Sequence, residues 1–131
     1  MISIVDETCS FVRKMNYKRV LTIGTHATMK NGLYTNPLRA CGVSPLLPSV
    51  EDQKTIYSIF FPNLENGIVI PEDKEKMLAL VGKIIDEQNA DSLLLGCTEL
   101  PLMIKSGDVC VPIIDTTQIH IESVVNYLIS A

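Results

Sequence analysis

The sequence predicts an α/β fold, a four-stranded parallel sheet flanked by helices. Three observations carry that expectation. Short apolar runs alternate along the chain with amphipathic stretches, the pattern of βα units. Four such runs are separated by helical segments, and strands joined through helices lie parallel with both faces of the sheet covered. The chain has 131 residues, 47% of them hydrophobic, which is enough to bury a real core in one domain spanning residues 1–131.

The elements follow in order. Ser3 and Asp6 stand at capping-box spacing ahead of a helix over residues 3–17, with Val5, Cys9, Val12 and Met15 near one face. Arg19-Val20-Leu21-Thr22-Ile23 reads as a strand that stops at Gly24-Thr25. A short helix covers residues 26–31. A second runs up to Cys41, with Asn36 and Pro37 as cap and first position and Gly42 as its stop. Residues 43–47 form a weaker strand because they contain Pro45. Ser49 with Asp52 starts a helix that buries Ile56, Ile59 and Phe60 and ends by Pro62.

Residues 63–70 read as a loop or brief extended piece. Pro71 suits the first position of a long helix that runs to about Asn89 and buries Met77, Leu80, Val81, Ile84 and Ile85. Ser92-Leu93-Leu94-Leu95 is the clearest buried strand, ended by Gly96-Cys97. A short helix over residues 100–105, a strand over 111–114 and a terminal helix over about 118–129 complete the chain. The sequence shows no repeat at solenoid spacing and no low-complexity segment.

Composition excludes several function classes. The net charge is −4, and Arg13-Lys14 and Lys18-Arg19 are the only basic pairs, which argues against a nucleic-acid partner. No apolar stretch is long enough for a membrane span, and Asp6 and Glu7 interrupt any signal-peptide pattern. Cys9, Cys41, Cys97 and Cys110 show neither a CxxC pair nor a histidine at metal-ligand spacing. They read as reduced thiols of a cytoplasmic protein, with no metal site.

Ligands of an open parallel sheet bind outside the carboxyl ends of its strands, where the strand order reverses. In the order 2-1-3-4, the first and third strands are neighbours, and they end in Gly24-Thr25 and Gly96-Cys97-Thr98. Each loop places a glycine and small hydroxyl or thiol side chains at a helix start, where free N–H groups suit a carboxylate. Such a position is expected to lower the pKa of Cys97 and favour the reactive thiolate. The plainer reading of Cys97 is a small buried cysteine behind a strand.

The longer string decides between these readings. The segment Asn89-Ala90-Asp91-Ser92-Leu93-Leu94-Leu95-Gly96-Cys97-Thr98-Glu99-Leu100-Pro101 resembles the second signature of the aspartate/glutamate racemase family. Gly24-Thr25-His26-Ala27-Thr28-Met29 is similar to that family's Gly-Thr-x-x-Thr loop, and Phe61-Pro62-Asn63-Leu64-Glu65-Asn66-Gly67-Ile68 is similar to a stretch of some members. The landmarks fall in the family's order, and the resemblance runs through essentially the whole chain, as the C-terminal half of such an enzyme.

The resemblance implies a two-base racemisation of aspartate or glutamate without pyridoxal phosphate, metal or any other cofactor. Two similar domains each supply a cysteine; one thiolate removes the substrate α-proton and the other thiol returns a proton to the opposite face. On this chain Cys97 matches the second cysteine. Thr98 matches a group that holds the substrate, and Thr25 and Thr28 match the loop that binds its carboxylate. Glu99 stands where glutamate racemases usually have histidine, which places the chain nearer the aspartate or broad-specificity branch. The first signature, a Cys-Asn-Thr segment, is absent from this sequence, so the chain is expected to be truncated relative to the family and inactive alone.

The remaining conspicuous residues carry plainer expectations. His26 is expected to be a loop bystander, His120 a surface residue, and Gln53 and Lys54 part of a solvated face. Glu99 could assist proton transfer or simply start a helix. The Met and Phe positions are read as core. The terminal helix within residues 116–131 holds Ile119, Ile121, Val124, Val125, Leu128 and Ile129, more apolar surface than one small sheet needs. That excess predicts packing on another domain or chain, and a homo-oligomer. Two other readings stay open: a non-catalytic domain that binds a small dicarboxylate, and a single-cysteine decarboxylase relative.

Overall fold

Ser3 opens the computed structural model, which describes residues 3–130 apart from the side chains of His26, Ala27 and Ser130. Its hydroxyl accepts the Asp6 N–H at 3.4 Å and caps helix α1 (Ile4–Lys14). Asp6 and Glu7 fill the first turn of α1 and Arg13 and Lys14 its last, matching the helix dipole at both ends. Strand β1 (Arg19–Ile23) follows, buried from Val20 onward. Next come α2 (His26–Lys30), α3 (Thr35–Ala40) and β2 (Ser44–Leu46). Ser49 caps α4 (Val50–Phe60) by accepting the Asp52 N–H at 3.1 Å.

A single 3-10 turn, Leu64–Asn66, lies where the sequence predicts a loop. Pro71 then occupies the first turn of α5 (Pro71–Gln88), whose Met77, Val81, Ile84 and Ile85 are buried. The helix stops at Asn89, which takes a left-handed conformation at φ 54°. Strand β3 (Ser92–Leu95), helix α6 (Leu100–Met103), strand β4 (Ile113–Asp115) and helix α7 (Thr116–Ser130) complete the fold.

The four strands form one parallel sheet in the order β2-β1-β3-β4. The four-stranded parallel sheet is the predicted architecture; its order, which sequence alone does not give, puts β1 and β3 side by side at the centre. Pro45 is accommodated because β2 is an edge strand. Helices on the two faces bury two apolar clusters. Leu21, Ile23, Leu93 and Leu95 pack with Ile56, Met77, Val81 and Ile85 on one side. Val20, Leu94 and Ile114 pack with Cys9, Val12, Tyr34 and Leu38 on the other. The alternation follows from strand geometry, since successive side chains point to opposite faces.

Register at the amino end of the sheet is set by Asp91. Its Oδ2 accepts the N–H groups of Lys18 at 2.7 Å and Arg19 at 3.0 Å, while Oδ1 accepts the Ser92 hydroxyl at 2.9 Å. The Asp91 N–H donates to the Arg19 carbonyl at 2.9 Å. This residue of the signature segment therefore has an architectural task, at the end of the sheet opposite Cys97.

Several expectations are corrected. Strand β4 begins and ends later than residues 111–114, so Asp115 and Thr116 stand at the carboxyl edge and α7 starts at once. Helix α3 begins at Thr35, with Pro37 inside its first turn. Helix α6 is one turn long, because Ile104 returns to extended backbone. Gln53 is half-buried and donates to the Pro48 carbonyl at 2.9 Å, whereas Lys54 is exposed. Met15 and Phe61 are exposed, and Phe61 stacks on Tyr57. His120 is half-buried, with its Nδ1 inaccessible to solvent and unpartnered.

Candidate active site

The carboxyl ends of β1 and β3 meet in register, Ile23 against Leu95, and the Gly96 N–H donates to the Ile23 carbonyl at 2.8 Å. The turns leaving the two strands can come this close only because both begin with glycine. A Cβ on Gly24 would lie 3.1 Å from Thr28 Cγ2. A Cβ on Gly96 would lie 2.9 Å from the same methyl, 3.3 Å from the Ile23 carbonyl oxygen and 3.4 Å from Tyr34 Cε2. Thr28 thus fills the space that two side chains would have claimed.

Thr25 organises its own loop. Its Oγ1 accepts the Thr28 N–H at 3.2 Å and lies 3.0 Å from the Thr28 hydroxyl, closing the first turn of α2. The two threonines expected to bind a carboxylate are therefore brought together and hydrogen-bonded to each other. The side chain of His26 lies outside the described residues.

Cys97, Thr98 and Glu99 follow β3. Cys97 and Glu99 are half-buried and Thr98 is exposed. The backbone N–H groups of Leu100 and Glu99, the donors expected at a helix start, lie near enough to the Cys97 sulfur to favour its thiolate, and the Glu99 carboxylate near enough to favour the protonated thiol. The outcome is opposite to the sequence expectation. Burial pushes the Cys97 thiol up to about 11, the backbone donors lower it, and the Glu99 charge and hydrogen bond raise it further. Desolvation of the thiolate outweighs two N–H groups at the start of a one-turn helix, whose dipole is small. At neutral pH Cys97 is a thiol that carries its proton.

Three residues join this site that sequence reasoning did not select. Tyr34 is 2% exposed and packs beside Gly96. Burial raises the pKa of its phenol, a hydrogen bond with Thr116 lowers it, and Cys9 and Cys97 lie near enough to raise it. The buried Thr116 hydroxyl donates to the Leu95 carbonyl at 2.9 Å, so β4 reaches the same rim. Asp115 caps α7 by accepting the Gln118 N–H at 3.1 Å. The rule that parallel sheets bind at their carboxyl ends would have flagged residues 115 and 116 had β4 been placed correctly. Tyr34 carries no comparable signal, because only the folding of α3 over Gly96 brings it in.

The other cysteines lie elsewhere. All four are free; Cys9 is buried in α1, and Cys41 and Cys110 are exposed. Among the described residues no group of three or more His, Cys, Asp or Glu could hold a metal ion, and no helix is long and apolar enough to cross a membrane. Helix α7 packs one side on α1, where the Ser123 hydroxyl donates to Glu7 at 2.8 Å. Its opposite side leaves Ile121, Val125, Leu128 and Ile129 exposed.

A family model described as Asp/Glu/Hydantoin racemase matches residues 1–124. A glutamate racemase of Aquifex aeolicus is 33% identical over 92 residues, which span 70% of this chain and 33% of that enzyme. The structure of an aspartate racemase homologue from Pyrococcus horikoshii superimposes with a TM-score of 0.88 at 32% identity, covering 97% of this chain and 55% of that one. A putative Asp/Glu racemase from Yersinia pestis gives 0.86 at 26% identity, over 95% and 54%. The chain thus spans about half the length of these structures.

Proposed function

The chain belongs to the Asp/Glu/hydantoin racemase family, and from that premise we propose that it supplies one of two cysteines for cofactor-independent racemisation of aspartate or glutamate. The carrying observation is the position of Cys97 at the carboxyl end of the sheet, between two backbone donors and the Glu99 carboxylate. A protonated thiol so placed is suited to give a proton to one face of a substrate carbanion. Run in reverse, the same thiol gives its proton up, and the neighbouring Glu99 carboxylate can accept it. A racemase needs a second acid–base group on the opposite face of that carbon. By this reading the cysteine comes from a second domain of the family architecture, and residues 1–131 correspond to one domain of the two.

Thr25, Thr28 and Thr98 bind the substrate in this proposal. Thr25 and Thr28 can turn their hydroxyls from each other to a carboxylate without moving the backbone, because rotation about one bond suffices. The apolar outer side of α7 is the surface for the second domain or for another copy of the chain.

Nuclear magnetic resonance in deuterium oxide tests the reading. The chain incubated with L-aspartate or L-glutamate should exchange the α-proton without inversion, and Cys97→Ser should abolish the exchange. Binding of the dicarboxylate with no Cys97-dependent exchange would overturn the catalytic reading and leave a binding domain.

A further inference from the structure

Two of the cysteines outside the site line the same surface depression. Cys9 comes from α1 and is 6% exposed, while Cys41 is the exposed C-cap residue of α3. Burial first and the neighbouring Cys41 second push the Cys9 thiol up to about 11. Both residues line one surface depression, together with Asp6 and Arg13. One cysteine of the depression is therefore open to solvent and the other is buried. That is the arrangement of an attacked thiol and a resolving thiol.

We propose that Cys9 and Cys41 form a reversible intramolecular disulfide when the chain meets hydrogen peroxide, with Cys41 oxidised first and Cys9 resolving it. The Cys41 thiolate attacks one peroxide oxygen; an S–O bond forms, the O–O bond breaks, and the leaving hydroxide is protonated to water. Cys9 then attacks the Cys41 sulfenic sulfur, forming the S–S bond as the S–O bond breaks. The departing hydroxide takes the Cys9 proton and leaves as a second water. Two thiols are oxidised by two electrons and one peroxide is reduced to two waters. A dithiol reductant reverses the bond. The crosslink ties α1 to the end of α3, the helix that Tyr34 precedes. It does not depend on the racemase reading.

Peptide mapping tests it directly. The chain is treated with stoichiometric hydrogen peroxide, its free thiols are blocked, and it is digested with trypsin without reduction. Cys9 falls in the tryptic peptide 1–13 and Cys41 in 40–54, whereas Cys97 and Cys110 fall in others. The expected product is a linked 1–13/40–54 pair that disappears with dithiothreitol and does not form in Cys41→Ser. In Cys9→Ala, Cys41 should proceed to sulfinic acid instead. A blocked, unlinked Cys9 beside an oxidised Cys41 in the unmutated chain would overturn the proposal, as would Cys41 pairing mainly with Cys110 or between molecules.

Discussion

The Glu99 carboxylate lies beside the Cys97 thiol and favours its protonated form, while the backbone N–H groups of Leu100 and Glu99 favour the thiolate. The same turn thus contains groups that stabilise the thiolate and a charge that opposes it. Burial decides between them in favour of the protonated thiol.

Alkylation of Cys97 reads that balance. Its reaction with iodoacetamide should be slow at neutral pH and accelerate with a midpoint near 11, whereas an ordinary thiol titrates near 9.0. Glu99→Gln removes the opposing charge and should shift the Cys97 midpoint downward. A midpoint below 9.0 in the unmutated chain would contradict the burial argument.

The same shift sets a pH dependence of folding. Cys9 and Cys97 hold their protons to about 11 in the folded chain, whereas unfolded thiols lose theirs near 9.0. The folded state therefore binds more protons in that interval, and stability falls as pH rises through it. Urea denaturation at pH 8 and at pH 11 should show the fall, and Cys97→Ser should reduce it.

Gly96 is expected to tolerate no side chain. Gly96→Ala places a methyl 2.9 Å from Thr28 Cγ2 and should cost about 1–3 kcal/mol. Thr28→Ser, which removes that methyl, should restore part of the loss in the double variant. Additive losses in the double-mutant cycle would show that the two residues do not compete for the same space.

Asp91 should prove structural. Asp91→Ala leaves the Lys18 and Arg19 N–H groups without their carboxylate and is expected to cost about 1.5–3 kcal/mol by chemical denaturation. Loss of α-proton exchange with no loss of stability would instead assign this residue to the site.

The exposed side of α7 is expected to drive association. Leu128 is 67% exposed and Ile129 78%, and sedimentation at micromolar concentration should show a self-associating chain. Leu128→Glu with Ile129→Lys should return it to monomer. A clean monomer before substitution would remove self-association as the role of this helix.

Much of the architecture was legible in the sequence for local reasons. Ser3, Ser49 and Pro71 begin helices wherever they fold, because capping needs only the next few N–H groups. The apolar run Ser92–Leu95 had to be a central strand, since it has no polar face to offer water. The sequence marked Gly24 and Gly96 as strand ends, and the order β2-β1-β3-β4 of the folded sheet brings them together.

Cys97 itself was identifiable from sequence, but its protonation was not. A helix start can be read from residue order; the dielectric around a sulfur depends on every element packed over it. Cys97 packs against a core cluster drawn from segments far apart in sequence, and its burial reverses the effect of the local donors. For the same reason Tyr34, Thr116 and the depression shared by Cys9 and Cys41 appear only in three dimensions. Capping and periodicity were the sequence's to determine; strand order, desolvation and contacts between distant segments were decided by the tertiary structure.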